Sequence, residues 1–130
     1  MKIIIADDSY AVFDRLEELL ASLPQVEIAA HTRDVDETLH CLAAVRPDVI
    51  ILELHLPGGT GLEILRCAKQ ANTETAVIVL TNFPFPQLRV MCKNLGADAF
   101  LDKSMEFDQV PTVVRAMTER HRLATTHLPI

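Results

Sequence analysis

Asp48 to Leu65 reads DVIILELHLPGGTGLEIL. Val49, Ile50, Ile51 and Leu52 form a short run without a polar residue, and the run stops on a carboxylate, Glu53. A Pro57-Gly58-Gly59 turn follows, and a helix is expected to start near Gly61. An apolar run this short, bounded by turn signals, fits a strand covered on both faces, as in a parallel sheet layered with helices. A carboxylate at the C-terminal end of such a strand stands where open α/β sheets place their ligands.

Working outward, the same strand-then-helix pattern recurs on both sides. Lys2 to Ala6 reads as a first strand closed by Asp7-Asp8-Ser9. Val12, Phe13, Leu16, Leu19, Leu20 and Leu23 then recur at helical spacing until Pro24. Val26 to His31 is a second strand; Asp34, with Glu37 three residues on, starts a helix that runs toward Pro47. Beyond the central stretch, Leu62, Ile64, Leu65 and Ala68 mark a third helix, and Ala76 to Leu80 a fourth strand ending in Thr81-Asn82. The prolines of Phe83-Pro84-Phe85-Pro86 stiffen the next connection. Leu88, Met91, Cys92 and Leu95 then form a fourth helical stripe, with Gly96 suited to its C′ position. Ala97 to Leu101 is a fifth strand, followed by Asp102-Lys103-Ser104. The last helix starts after Ser104 or Asp108; Pro111 belongs in a first turn and favours the later start. Strict alternation of this kind implies a single α/β sandwich, a five-stranded parallel sheet with right-handed crossovers and helices on both faces. The domain is expected to span residues 1–122, with residues 123–130 as a C-terminal tail.

The chain has 130 residues, enough for one core. Its 12 basic and 18 acidic residues give a net charge of −6, which offers nothing to nucleic acid or to an anionic membrane. The apolar start MKIII meets Asp7-Asp8 too early for a secretion signal, and no later run approaches membrane-spanning length. Three cysteines (Cys41, Cys67, Cys92) without CxxC spacing point to reduced thiols in a cytoplasmic protein. The five histidines (His31, His40, His55, His121, His127) show no ligand spacing and read as mostly surface groups.

In such a sheet the C-terminal strand ends share one edge. Asp7 and Asp8, Glu53, Thr81 with Asn82, and Lys103 are therefore expected to converge there. Close like charges raise one another's pKa or recruit a cation, and Mg2+ is the natural one for oxygen ligands.

Asp7-Asp8, the 48–65 stretch, the IVLTN strand end and GADAFLDKS together resemble a bacterial response-regulator receiver domain of the chemotaxis-regulator type. The resemblance runs to about His121. It implies the flavodoxin-like (βα)5 fold with strand order 2-1-3-4-5, and membership of a two-component phosphorelay rather than an enzyme. It also implies a Mg2+ site of Asp7, Asp8, the acid at 53 and the main-chain carbonyl of His55. Position 53 would be the phosphoacceptor, Thr81 the switch hydroxyl, Phe100 the aromatic whose rotamer reports activation, and Lys103 the phosphate-pairing ammonium. The family's acceptor is aspartate, and here it is Glu53. The extra methylene moves the carboxylate by roughly 1.5 Å, toward Thr81 and Lys103. Phosphoryl transfer depends on positioning, so a shift of that order can cost about 100-fold or more.

The expected function is thus a stand-alone pseudo-receiver that acts by protein contact without phosphorylation. An ordinary phosphoaccepting receiver, natural or carrying an Asp-to-Glu change, is the alternative. A Mg2+-dependent phosphohydrolase is remote, because the acids at 7 and 8 are adjacent and no cap is present. A flavin module is disfavoured by acids where a phosphate loop belongs. Asn82 is expected to narrow access or donate to Glu53, and Phe83 with Phe85 to offer an apolar contact or anchor their loop. The partner would be a histidine kinase or a downstream signalling protein. The face used, with homodimerisation as a further option, would be that of the fourth helix, fifth strand and fifth helix, including Arg89, Lys93, Phe100 and Arg115.

Overall fold

The computed structural model describes residues 1–126. Five parallel strands, β1 (Lys2–Ala6), β2 (Glu27–Thr32), β3 (Val49–Leu52), β4 (Ala76–Thr81) and β5 (Ala99–Asp102), lie in the order β2-β1-β3-β4-β5. Between and after them run α1 (Tyr10–Leu20), α2 (Val35–Val45), α3 (Gly61–Ala71), α4 (Pro86–Asn94) and α5 (Val110–Thr126). This is the flavodoxin-like arrangement.

The apolar strand residues divide by parity. Ile3, Ile5, Val49, Ile51, Ile78 and Leu80 pack with Leu16 and Leu20 of α1 and Val110, Val114 and Met117 of α5. Ile4, Ala6, Ile50, Leu52, Val77 and Val79 pack with Val35 of α2, Ile64, Leu65 and Ala68 of α3, and Cys92 of α4. A strand that must serve two cores cannot alternate with polar residues, which is why β3 and β4 read as unbroken apolar runs. Each fully buried Ile or Leu contributes roughly 1.5–3 kcal/mol.

Boundaries differ from the sequence reading by one or two residues. β2 is shifted one residue on, β4 takes in Thr81, and β5 begins at Ala99 instead of Ala97. In each case the hydrogen-bonded ladder to the neighbouring strand, and not the apolar pattern, sets the end. α1 stops at Leu20, so Leu23 packs on the core from the following turn. α5 starts at Val110 after a 3-10 turn at Phe107–Gln109, which leaves Pro111 in the first turn. It continues through Thr126, so the boundary expected after residue 122 falls inside a helix. Arg122 there is tied to Glu119, one turn back, at 2.9 Å. His127 and the rest of the expected tail lie outside the described residues.

Helix caps follow the local chemistry. Asp34 is extended and accepts from the Glu37 amide at 2.7 Å. Asp34→Ala is expected to cost about 1 kcal/mol, read as a lower midpoint in urea unfolding with unchanged slope. Gly96 follows the C-cap of α4 with φ of 99°, a backbone conformation that costs glycine least. Among the described residues Cys41, Cys67 and Cys92 are free thiols; Cys92 is buried, and burial pushes its thiol pKa up. No helix among the described residues is long and apolar enough to cross a membrane.

Candidate functional site

Strand register brings the site together. Ile5 is the β1 partner of Ile51 in β3, so Asp7 and Glu53, each two residues further on, emerge side by side. The ladder continues past the strand ends: Glu53 donates its amide to the Ala6 carbonyl (2.9 Å), and Asp7 to that of Thr32 (3.0 Å). On the other side of β4, the Lys103 amide donates to the Thr81 carbonyl at 2.8 Å and fixes the root of the lysine.

The Lys103 ammonium lies between the two acids. Its Nζ donates to Asp7 Oδ2 at 2.7 Å and to Glu53 Oε1 at 2.8 Å. The three side chains are 10%, 5% and 5% exposed, for Lys103, Asp7 and Glu53 respectively, so these are buried, charge-assisted bonds. Burial acts to lower the lysine pKa, but hydrogen bonds to Asp7 and Glu53 and their charges outweigh it, and the amine is held above its ordinary value. The remaining carboxylate oxygens are also engaged. Asp7 Oδ1 accepts from the Ser9 amide at 2.9 Å, and Glu53 Oε2 from the amides of Leu54 (2.6 Å) and His55 (3.3 Å). The longer glutamate thus curls back onto the amides that follow it.

The other expected residues are placed as follows. Asp8 is exposed, and its side chain has no hydrogen-bond or ion-pair partner among the described residues, so two acids and not three share the pocket. An exposed carboxylate keeps its hydration, and turning Asp8 inward would add a second uncompensated charge. Thr81 is fully buried and its hydroxyl accepts from the Phe83 amide at 3.2 Å; Glu53 reaches Lys103 and not this hydroxyl. Asn82 is exposed, with Oδ1 in a long 3.4 Å contact with Ser104 Oγ, and it does not donate to Glu53. The His55 ring tilts against Phe83 at 4.1 Å between centroids, and Phe83 and Phe85 stay 41% and 56% exposed. Phe100 is half-buried beneath the Arg89 guanidinium, 4.5 Å from the ring centroid, and Arg89 also donates to the Phe100 carbonyl at 3.2 Å.

His31 was not legible as a site residue. Its Nε2 lies 2.8 Å from the Asp7 carbonyl, so this nitrogen carries the proton and donates. The ring stacks on Phe13 at 4.3 Å and meets the edge of Tyr10, which carries Arg33 on its face. No motif marks this cluster, because β2, the β1 loop and α1 meet only in the fold.

Among the described residues, no group of three or more His, Cys, Asp or Glu side chains is set to share a metal ion. Mg2+ requires near-octahedral oxygen ligands at about 2.0–2.1 Å. The point between the two buried carboxylates is taken by an ammonium, so the arrangement does not fit the ion. Clefts of about 530 and 570 Å³ lie elsewhere, one lined by Asp48, Asp98 and Arg120, the other by Leu42 and Cys67 between α2 and α3; neither touches the carboxylates.

Comparison with known proteins agrees with this fold. The family model described as the response regulator receiver domain matches residues 3–115. The transcriptional regulatory protein YhcZ of Bacillus subtilis is 26% identical over 99% of this chain and 60% of its own length. Response regulator MprA of Mycobacterium ulcerans is 29% identical over 95% of this chain and 52% of its own. The chain therefore spans roughly half the length of these relatives. Among solved structures, the isolated REC domain of RcsB from Salmonella enterica serovar Typhimurium, in the presence of phosphomimetic BeF3−, superposes with a TM-score of 0.85. It is 23% identical, over 92% of this chain and 88% of that one. A CheY-like receiver domain protein from Methanospirillum hungatei gives 0.80 at 22% identity, over 93% and 96%. At these identities the structures speak for the fold alone.

Proposed function

The chain belongs to the response regulator receiver domain family, and on that footing we propose that it signals by protein contact without accepting a phosphoryl group. The observation that carries this is the Glu53 carboxylate itself. One of its oxygens is held by Lys103 and the other by the Leu54 and His55 amides. An acceptor must present a free oxygen in line with the incoming phosphorus, and here both oxygens are already bonded. Lys103, which would otherwise pair with a phosphoryl oxygen, is already committed.

The test is labelling with a small acyl phosphate in the presence of Mg2+. The protein as it stands is expected to remain unlabelled, and Glu53→Asp to gain labelling by about 100-fold or more, because the shorter side chain restores the position on which transfer depends. Robust Mg2+-dependent labelling of the unmodified protein overturns the proposal in favour of an ordinary phosphoaccepting receiver.

The partner we infer is a histidine kinase or a downstream signalling protein, met on the α4-β5-α5 face; self-association through the same face is a second outcome. Residues 82–97 contain no acid in a chain that has 18, and they hold Arg89 and Lys93 beside the exposed Phe83, Phe85, Val90 and Met91. A basic, apolar strip on an acidic protein favours a partner surface that is acidic and apolar. It sets like charges together in a symmetric pair. The Arg89 guanidinium over Phe100 couples α4 to β5 there, and Arg89→Ala is expected to free the ring. The check is the Phe100 ring resonances by NMR, which should shift and broaden in the variant and remain sharp in the parent.

A further inference from the structure

We propose that Lys103 is the resident cation of this site, so that the carboxylate pocket is complete without a divalent metal. The inference rests on family membership and on the geometry of the pocket, and it is separable from the absence of phosphorylation.

Two buried carboxylates at adjacent strand ends need a counter-charge, and the pocket contains one. Lys103 Nζ makes a bond of 2.7 Å to Asp7 and one of 2.8 Å to Glu53, which puts a unit positive charge between the two carboxylates. The lysine is not a visitor from a loose segment. Its own amide is bonded to Thr81 at 2.8 Å, and its side chain is only 10% exposed. The acids are equally fixed. The Ser9 amide holds the far oxygen of Asp7, and the Leu54 and His55 amides hold that of Glu53. The Asp7 main chain is held in turn by His31, through Nε2 at 2.8 Å.

A Mg2+ ion entering this pocket would have to shed water, which it does reluctantly, and displace an ammonium from two short, buried bonds. Asp8, the carboxylate that would help, is exposed and faces no such need. Glu53 is what makes the exchange unfavourable. Its length lets a single carboxylate reach the ammonium with one oxygen and the following amides with the other. An aspartate there would be shorter by roughly 1.5 Å and would satisfy only part of this set.

The experiment is calorimetric titration with MgCl2, together with thermal unfolding in EDTA and in Mg2+ at matched ionic strength. The wild type is expected to give no saturable heat up to millimolar Mg2+ and the same midpoint in both buffers. Lys103→Met is expected to bind Mg2+ saturably and to regain about 10 °C in midpoint when Mg2+ stands ~100-fold above its Kd. Glu53→Asp is expected to bind Mg2+ as well, which covers the case in which the lysine variant does not fold. Saturable binding by the wild type overturns the inference, as does a folded Lys103→Met or Glu53→Asp protein that binds none. Mg2+ binding by a wild type that stays unlabelled by acyl phosphate would remove this inference and leave the proposed function in place. Labelling of the wild type would remove the proposed function whatever the calorimetry shows.

Discussion

Lys103→Met is expected to lower the unfolding free energy by about 3–5 kcal/mol in metal-free buffer, because removal of one partner leaves the buried charges of the others uncompensated. The two acids it would abandon are each 5% exposed at the side chain, so solvent offers little relief. The loss is a large share of the 5–15 kcal/mol typical of a domain this size. Urea unfolding followed by circular dichroism measures it, and the slope should stay that of the wild type. A cost below about 1 kcal/mol, the value of an exposed ion pair, would show that the three-way contact does not hold the strand ends together. By contrast, the exposed pair Arg15–Asp108, at 2.8 Å but 53% and 83% exposed, should lose under about 1 kcal/mol on Arg15→Met by the same assay, apart from what its stacking on Phe107 contributes.

Gly61→Ala is the second large effect. A Cβ at this position would stand 2.7 Å from the Glu53 carbonyl oxygen and 2.7 Å from Leu54 Cα. Both are main-chain atoms just past the end of β3, and neither can rotate away. The Gly61 amide is also bonded to the Leu54 carbonyl at 2.8 Å, so the first turn of α3 cannot lift off without losing that bond. Overpacking of a well-filled site costs typically 1–3 kcal/mol, and a backbone clash on two atoms is expected at or above the top of that range, about 3 kcal/mol. Thermal unfolding reads it as a fall in midpoint of roughly 10 °C. The variant should also disturb the Glu53–Lys103 bond, since the residue whose carbonyl is pushed is the one that carries the carboxylate. Chemical shifts of Lys103 therefore report the effect at the site separately from the loss of stability.

Much of the fold was legible because local chemistry and burial point the same way. Lys2–Ala6 and Val49–Leu52 are recovered with the observed ends because an acid, Asp7 or Glu53, closes a run that two helix layers must cover. Asp34, Gly61, Gly96 and Pro111 each mark a helix end by a property of the residue alone: a side-chain acceptor, a missing Cβ, a tolerated positive φ, a missing amide proton. The family followed from motifs at strand ends, and the family model matches residues 3–115, which include all of them.

Side-chain direction was not legible, and the site depends on it. Adjacent acids at 7 and 8 look alike in sequence, yet one is buried against Lys103 and the other is in solvent. Glu53 was expected to reach toward Thr81 as well as Lys103. It bonds the lysine and the amides that follow it, while Thr81 turns to Phe83. Position along the chain specifies which strand end a residue occupies; the direction it faces depends on which donors from other strands lie within about 3 Å, and those are 96 and 50 residues away for Lys103 with Asp7 and Glu53. The residue types and their order therefore specify the sheet, its layers and the membership of the pocket. Only the packed structure fixes which acids share the ammonium, because that choice balances desolvation against pairing among groups that meet nowhere but in the fold.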